Sequence, residues 1–452
     1  MQPRKSTRLL VATRTSPLAG ESGSGAYLSD LLDYLSRDHF RIHTIWTEPP
    51  DLFPTRGFWR RPRRDRSAFT LDIMDMRRLG SLYWRPGILW LPAKARALHA
   101  AKTALAHARI DISRRRPPAD LAAQPCRNRA AWNAPASLAE IRAVQRAAAR
   151  FRPDAILVNY AWMASTPGQP STSRPPVAVL TNDVWHRQLH IRDGRPVEIL
   201  NERTTVEYET RALSTADAIV AIQDIEAALF RRLLPGTPVV TAPISVRPRP
   251  LPPASAPDVL FVGSPHASNR RGLDWFLRET WPLLRVVAPQ TRLLVAGTIC
   301  AALPDDLPAG VEKLGRLPDL ADAYARARVV IIPLLQGSGM KTKLVEAISH
   351  TRAIVTTSVG AEGFDVLRPA LRVADTPAGF AAATAALLGS PEAAAGAAAQ
   401  LSAAAYTHFS PAACYAPLSR LLRDLAAARR TAAQLARASA PSSGAHAVSM
   451  NP

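Results

Sequence analysis

The stretch that decides the fold lies between Val329 and Phe364. It reads VVIIPLL (329–335), Gly-Ser-Gly (337–339), MKTKLVEAISH (340–350) and AIVTTSVGAEGF (353–364). A continuous apolar run that stops at glycines is typical of a strand buried inside a parallel sheet. Apolar residues at helical spacing follow the glycines, and a second apolar run follows the helix. This order predicts a β-loop-α-β unit of a doubly wound α/β domain.

The glycine loop and the predicted helix start suggest an anion site. Glycines allow close backbone approach, and a helix N-terminus presents unpaired N–H groups. Lys341 and Lys343 would lie in the first turn, where a lysine is unfavourable unless an anion is present. Glu346 shares a helix face with Lys343, and a carboxylate beside a phosphate site suits a ribose diol. The spacing alone is equally compatible with an ordinary helix start that carries surface lysines.

The rest of the chain extends this pattern into two α/β halves joined by a proline-rich linker, RPRPLPPASAP. Residues 8–12 (RLLVA) read as a strand, followed by a glycine loop and an amphipathic helix. We therefore predict an α/β chain with two Rossmann-like domains and a ligand cleft between them. The predicted boundaries are an N-terminal domain over 1–247 with an Arg/Pro/Trp-rich insertion at about 50–135, a linker at 248–257, a C-terminal domain over 258–410, a basic helix over 411–438 and a disordered tail over 439–452.

The segment GSGMKTKLVEAISHTRAIVTTSVGAEGF resembles the donor-nucleotide segment of GT-B glycosyltransferases, in particular family 4-like enzymes (glycosyl transferases group 1). The resemblance covers nearly all of residues 256–390. FVGS (261–264) and the helix that follows are similar to the opening of the C-terminal domain in that family. TADAIVAIQDIEAALFRRLLPGTPVVTAPISV (215–246), with its Glu226-bearing helix, resembles the last N-domain strand and the interdomain crossing. The resemblance implies a GT-B fold.

It also implies roles for individual residues. Glu346 would hold the donor ribose, and Lys343 would lie near the donor phosphates. The remaining members of the implied donor site are Gly337, Ser338 and Gly339 in the loop, with Gly263, Ser264 and Arg271 on the other side of the diphosphate. Arg270 is an alternative to Arg271. The N-domain loop Gly23-Ser24-Gly25 would line the cleft near the sugar and the acceptor.

Two positions depart from the family's pattern. Many members carry a Glu-x7-Glu pair whose first Glu contacts the sugar, and Ser338 stands in that place here. The family's His-Asp at the end of an N-domain strand aligns with Asn182-Asp183. We therefore take Asp183 and the nearby His186 as the candidate catalytic residues. His186 is equally compatible with a histidine whose hydrogen bonds are all structural.

The implied reaction is a retaining transfer of a sugar from a nucleotide diphosphate donor to a saccharide or lipid-linked acceptor, in cell-surface polysaccharide synthesis. The charge of the leaving diphosphate would be stabilised by Lys343, Arg271 and the helix start. No Asp-x-Asp occurs in the chain, which argues against a metal-clasping glycosyltransferase. We expect no metal and no cofactor besides the donor substrate.

The composition limits the partners. The net charge is +21, but only 6 of the 57 basic residues are lysines, and 40 prolines accompany the arginines. This pattern fits a GC-rich coding bias as well as it fits an anionic partner. The arginines lack the interleaved aromatic residues of a nucleic-acid module, so we expect no nucleic acid. Peripheral contact of the basic helix and the arginine-rich insertion with an anionic membrane is one interpretation.

Cysteine usage and hydropathy bear on the compartment. Three cysteines lie far apart, and no run of 18 apolar residues occurs. A reduced, cytoplasmic protein is the expectation. Peripheral attachment at the inner face of the membrane is one further interpretation, which rests on the basic segments.

Several other functions remain as alternatives. Gly23-Ser24-Gly25 suggests a dinucleotide site, but Leu28 stands at the third glycine position. Gly339-Met-Lys341-Thr342 matches a phosphate-binding loop of an NTPase poorly. A sugar-nucleotide epimerase shares the GT-B architecture. An inactive GT-B scaffold or partner subunit would explain both departures from the family.

Overall fold

We describe the protein from a computed structural model. The structure describes residues 6–18, 23–47, 58–60, 69–84, 134–171, 173–187, 190–192, 195–197, 205–337 and 339–438. Two parallel sheets carry helices on their faces, so the predicted α/β fold with two Rossmann-like domains is confirmed.

The N-terminal sheet has seven parallel strands. Its strands are β1 (Thr7–Thr13), β2 (Phe40–Trp46), β4 (Thr70–Ile73), β7 (Ala155–Asn159), β8 (Val177–Leu180), β11 (Ala218–Ala221) and β12 (Val239–Thr241). Their spatial order is β4-β2-β1-β7-β8-β11-β12. The chain reverses its direction of travel across the sheet between β1 and β7. A crevice outside the carboxyl ends of the strands at such a point is the usual place for a ligand.

Helices cover both faces of this sheet. They are α1 (Gly23–Arg37), α2 (Leu138–Phe151), α3 (Val206–Leu213) and α4 (Asp224–Leu233). In α1, the side chains of Leu28, Leu31, Leu32 and Leu35 are all buried. Both faces of the central strands are therefore removed from water, which is why β1 reads as an almost continuous apolar run.

Small antiparallel elements accompany this domain. β3 (Phe58–Arg60), β5 (Arg77–Leu79) and β6 (Leu82–Trp84) form one sheet, and β9 (His190–Arg192) pairs with β10 (Arg195–Val197).

The C-terminal sheet has six parallel strands. They are β13 (Asp258–Val262), β14 (Leu293–Ala296), β15 (Val311–Gly315), β16 (Ala327–Ile332), β17 (Ala353–Thr356) and β18 (Arg372–Val373). The order β15-β14-β13-β16-β17-β18 corresponds to the Rossmann order 3-2-1-4-5-6. The reversal falls between β13 and β16, so the loops after these two strands meet at one edge.

The helices of the C-terminal half are α5 (Ala267–Trp275), α6 (Trp281–Val287), α7 (Ala321–Arg326), α8 (Thr342–Ser349), α9 (Pro377–Gly389), α10 (Pro391–Phe409) and α11 (Pro411–Ala438). A five-residue π-helical stretch joins α5 to α6. The helix predicted after the glycine loop is α8, which begins at Thr342.

The last helix returns to the N-terminal domain. Tyr415 Oη in α11 donates to Asp30 Oδ2 at 2.8 Å, and Arg423 forms an ion pair with Asp38 at 2.7 Å. Arg429 donates to the carbonyl of Pro153 at 3.0 Å. Two arginines of the helix expected to face a membrane thus contact the N-terminal domain, and α11 joins the two halves of the chain.

The structure differs from the sequence analysis in one region. Within the segment interpreted as an insertion, residues 70–73 form β4 and extend the N-terminal sheet beside β2. This four-residue strand follows an Arg/Pro-rich stretch, which hides its pattern. Most of the segment interpreted as an insertion and the predicted tail over 439–452 lie outside the described residues.

Candidate functional site

The glycine loop before α8 is held together by a lysine. Gly337 and Gly339 have φ values of 127° and 73°, a region that glycine adopts readily. Ser338, between them, lies outside the described residues. Lys341 Nζ donates to the carbonyls of Gly339 at 2.5 Å and Gly337 at 3.4 Å, and lies 3.6 Å from Glu362 Oε2. Burial lowers the pKa of Lys341. This lysine therefore braces the loop.

Lys343 occupies a different environment, although it is only two residues away. Its Nζ donates to Asn269 Oδ1 and lies 5.0 Å from the centre of the Phe261 ring. Burial, with a smaller contribution from the charge of Lys341, lowers the pKa of Lys343 to about 7. In the part of the chain that the structure describes, no carboxylate forms an ion pair with Lys343. Its charge is therefore available to a bound anion.

The loop after β13 lies beside Lys343. A Cβ on Gly263 would lie 2.8 Å from the Phe261 ring, and one on Gly297 would lie 2.2 Å from the Gly263 carbonyl oxygen. Close packing of two strand ends thus explains these glycines without a ligand. Asn269 Nδ2 donates to the carbonyl and the hydroxyl oxygens of Ser264 at 3.0 and 3.3 Å. Asn269 therefore links Lys343 to Ser264.

Arg271 lies on the same side of the glycine loop. Its Nη1 donates to Oε1 of Gln336 at 2.6 Å, just before the loop. The alternative, Arg270, is exposed. Of the two arginines, Arg271 is the one in contact with the segment that leads into the loop.

Glu346 lines a cavity of about 420 Å³ between the two domains. Tyr324 Oη donates to Glu346 Oε2 at 3.3 Å, and burial raises the pKa of the carboxyl group. The cavity is bounded in the C-terminal domain by residues that include Leu320, Thr342, Val345 and His350, and in the N-terminal domain by residues that include Gly23, Tyr27, Asp30 and Arg247. This volume falls within the usual range for a small-molecule site.

The two domains approach each other at two glycines. A Cβ on Gly23 would lie 2.9 Å from Thr342 Oγ1, and one on Gly339 would lie 3.4 Å from the Asn182 carbonyl oxygen. The predicted cleft residues Gly23, Ser24 and Gly25 form the first turn of α1. The structure therefore brings the N-domain loop against the start of α8, and the loop at 337–339 against the end of β8.

The end of β8 is fixed by a short chain of hydrogen bonds. Asn182 has φ 62°, and its Nδ2 donates to Asn159 Oδ1 at 2.6 Å. Asn159 Nδ2 in turn donates to Thr13 Oγ1 at 3.0 Å. These residues connect the carboxyl ends of β8, β7 and β1. The amide at position 182 is thus tied to the N-terminal sheet, and Asp183 follows it next to Gly339.

His186 is anchored on a buried carboxylate. Its Nδ1 lies 2.5 Å from Glu209 Oε2, and Glu209 also accepts from the backbone N–H groups of Trp185 and His186, both at 3.0 Å. Glu209 is only 1% exposed. One ring nitrogen of His186 therefore has a structural role, and its catalytic role stays a prediction.

Two further acidic residues lie at the cleft, Glu226 and Glu362, and no role for either was predicted from the sequence. Gln223 Nε2 donates to Glu226 Oε1 at 2.9 Å and lies 3.4 Å from Glu362 Oε1. Burial, with the nearby charges of Asp183 and Glu362, raises the pKa of Glu226 to about 8. Glu226 is therefore largely protonated at neutral pH. An acidic residue in the first turn of a helix is expected from the helix dipole alone. The local sequence therefore does not indicate that Glu226 is buried near other carboxylates.

The described ranges lack two kinds of feature. They contain no group of three or more His, Cys, Asp or Glu residues arranged to hold a metal ion. They also contain no helix with the length and apolar character needed to span a membrane.

Comparison with known proteins finds a family match in the C-terminal domain. Residues 256–390 match the family model described as glycosyl transferases group 1. A protein of Klebsiella pneumoniae described as "uncharacterized 44.6 kDa protein in cps region" is 30% identical over 117 residues, which is 24% of this chain. The match spans about 30% of that relative's length.

Solved structures resemble nearly the whole chain. Sucrose-phosphate synthase from Thermosynechococcus elongatus aligns with a TM-score of 0.62 at 15% identity, covering 93% of this chain and 100% of that one. HepE from Anabaena, in complex with UDP, aligns with a TM-score of 0.56 at 12% identity over 92% of this chain and 100% of its own. At these identities the likeness shows the fold alone, which is the GT-B fold.

Proposed function

Because residues 256–390 form a domain of the glycosyl transferases group 1 family within a GT-B fold, we propose that this protein is a glycosyltransferase. Its donor is a nucleotide diphosphate sugar, and its acceptor is a saccharide or a lipid-linked saccharide. We further propose that it acts in cell-surface polysaccharide synthesis, at the cytoplasmic side of the membrane. The description of the Klebsiella pneumoniae relative, in a cps region, supports the polysaccharide part of this proposal.

The observation that carries the proposal is the setting of Lys343. Its ammonium group lies at the start of α8, beside the glycine loop, and contacts an amide oxygen and an aromatic ring rather than a carboxylate. A lysine in the first turn of a helix is unfavourable on its own, because the helix N-terminus already carries partial positive charge. A diphosphate placed there would pair with Lys343 and with the N–H groups of the helix start.

The same groups supply the expected chemistry. When the bond between the sugar and the diphosphate breaks, negative charge develops on the leaving phosphate. Lys343, the α8 N-terminus and Arg271 are preorganised donors on that side of the loop, and such donors stabilise developing charge in a water-poor site. We propose that they do so without a divalent metal, and that the transfer retains the configuration of the sugar.

Glu346 completes the proposed donor site. It lies one turn of α8 beyond Lys343 and lines the cavity between the domains. The two oxygens of a carboxylate accept hydrogen bonds from both hydroxyls of a ribose. The N-terminal domain, through the first turn of α1, closes the cavity from the opposite side. The acceptor would enter from this N-terminal side.

A thermal-shift screen tests the proposal. The purified chain is heated with UDP, GDP, ADP and their sugars, in buffer that contains EDTA. A ligand that binds only the folded state raises the melting temperature by mass action. We expect one nucleotide family to raise it selectively, and radiolabelled sugar from that donor to be transferred to an extracted saccharide or lipid fraction. No shift with any nucleotide would contradict the proposal.

A further inference from the structure

A group of acceptor-rich side chains lies on the N-domain side of the glycine loop. Gln223 and Glu226 come from the start of α4, and Glu362 comes from the loop after β17. We call these three residues the carboxylate–amide cluster. Lys341 lies 3.6 Å from Glu362 and donates to the carbonyl of Gly339, so the cluster borders the glycine loop at Gly339.

The cluster contains buried polar atoms with unused hydrogen-bonding capacity. Among the described residues, Glu226 Oε2 and Gln223 Oε1 have no hydrogen-bond partner. Glu226 is 2% exposed and Gln223 is 4% exposed. A buried polar group without a partner is destabilising, so such groups usually have a ligand or water to pair with. A protonated Glu226 would donate from Oε2, and an ionised one would accept there.

Glu362 gives this cluster an open side. Its side chain is 35% exposed, and among the described residues Lys341 is the one cation that forms an ion pair with it. Gly363, the next residue, has φ 82°, and a Cβ there would lie 2.4 Å from Gln223 Oε1. The backbone after β17 therefore packs directly against Gln223. The C-domain carboxylate of Glu362 and the N-domain amide of Gln223 consequently lie next to each other.

The two sides of the glycine loop differ in chemistry. Lys343 and Arg271 lie on one side and suit phosphate. The carboxylate–amide cluster lies on the other and suits hydroxyl groups, which both donate and accept hydrogen bonds. In a nucleotide diphosphate sugar, the sugar is attached directly to the phosphate, so the two chemical groups must occupy adjacent positions.

We propose that the carboxylate–amide cluster binds the hydroxyl groups of the transferred sugar, with Glu362 as the carboxylate that contacts it. This inference rests on the proposed function. It assigns to Glu362 the sugar contact that the family resemblance places at position 338, where this chain has serine. Glu362 and Gln223 lie on different domains, so the sugar is held only when both domains take part.

The test compares binding of a nucleotide diphosphate with binding of the matching nucleotide sugar. The probes are UDP with UDP-glucose, UDP-galactose and UDP-N-acetylglucosamine, GDP with GDP-mannose, and ADP with ADP-glucose, measured by titration calorimetry. The variants are Glu362→Gln, Glu362→Ala and Glu226→Gln. Asp365→Asn is the matched control, because this exposed residue lies in the same segment between β17 and β18 and forms an ion pair with Arg368.

We expect Glu362→Ala to bind the free nucleotide within about twofold of the unmodified chain and to bind the nucleotide sugar about tenfold more weakly, since a hydrogen bond to a charged group is lost. Glu362→Gln should lose less, because an amide still accepts and donates. The control should match the unmodified chain with both probes.

Other outcomes overturn the inference. An equal loss of affinity for nucleotide and nucleotide sugar would make Glu362 a brace for Lys341 and the glycine loop. No loss with either probe would place the sugar elsewhere. Both results leave the proposed function intact. Failure of the unmodified chain to bind any nucleotide would instead overturn the proposed function, and the inference with it.

Discussion

Lys341 and Lys343 both lie next to the glycine loop at 337–339, but their surroundings differ. Lys341 is buried against backbone carbonyls and lies 3.6 Å from Glu362, so its charge is used within the protein. Lys343 contacts Asn269 and the Phe261 ring, and no described carboxylate forms an ion pair with it. Both lysines lie at the start of α8, so closeness to the helix N-terminus does not by itself make a lysine a phosphate ligand. The counter-charge around each ammonium group does.

Removing the charged group of Lys343 should have a large effect on nucleotide diphosphate binding. We expect Lys343→Met to weaken nucleotide diphosphate binding by about 10- to 100-fold, because a charge-assisted hydrogen bond contributes about 1.5–3 kcal/mol. Titration calorimetry with the nucleotide found in the thermal-shift screen measures the change. Lys313→Met is the control, since Lys313 pairs with Asp305 at the surface. Equal affinity in both variants would remove Lys343 from the donor site.

A variant of Glu346 separates the contribution of the ribose to binding from that of the phosphates. Glu346→Ala should weaken binding of the nucleotide diphosphate by about tenfold through the loss of carboxylate hydrogen bonds. Inorganic pyrophosphate lacks the ribose, so its affinity should stay the same. Competition titrations with the two ligands measure both effects. If the variant loses affinity for pyrophosphate by the same factor as for the nucleotide, Glu346 supports the helix rather than the ribose.

The C-terminal half of the site was more accessible from sequence than the N-terminal half. Strand, glycine loop and helix are consecutive between Val329 and Ser349, so their spacing alone places the glycines at a helix start. The resemblance added the roles of Glu346 and Lys343. The fold follows for the same reason, because buried parallel strands and amphipathic helices leave strong local patterns.

Contacts between distant segments explain what sequence could not supply. Glu226 and Glu362 are separated by 136 positions, and only the tertiary fold brings Gln223 between them. The anchoring of His186 on Glu209 is equally non-local. The different surroundings of the two lysines also depend on Asn269 and Glu362, which lie outside α8 and its glycine loop. Strand β4 is short and follows an Arg/Pro-rich stretch, so its periodicity is too brief to detect.

The pH dependence of nucleotide binding tests directly whether the charge of Lys343 pairs with the bound diphosphate. The pKa of Lys343 is about 7 in the free protein, and a bound diphosphate would raise it by stabilising the charged form. Binding then takes up a proton, so affinity should fall as the pH rises above 7, by at most about tenfold per pH unit. Titrations at pH 7, 8 and 9 measure this.

Arginine stays charged over that range, so Lys343→Arg provides the control for the pH series. Its affinity should change much less between pH 7 and pH 9 than that of the unmodified chain. A parallel decline in both proteins would assign the pH dependence to another group.

The last prediction concerns Glu226, on the acidic side of the loop, and the pH dependence of stability. The pKa of Glu226 is about 8 in the folded chain and about 4.5 when unfolded. Between these values the folded state binds one more proton, so this residue lowers the free energy of unfolding as the pH rises, by at most about 1.4 kcal/mol per unit. Glu226→Gln cannot titrate. Denaturant unfolding at pH 5 and pH 8 should therefore show a smaller loss of stability in the variant, because every other titration is shared. An identical loss of stability in both proteins would mean that Glu226 is ionised in the folded state. The positive charge of Lys341 would then compensate the negative charge on this side of the loop.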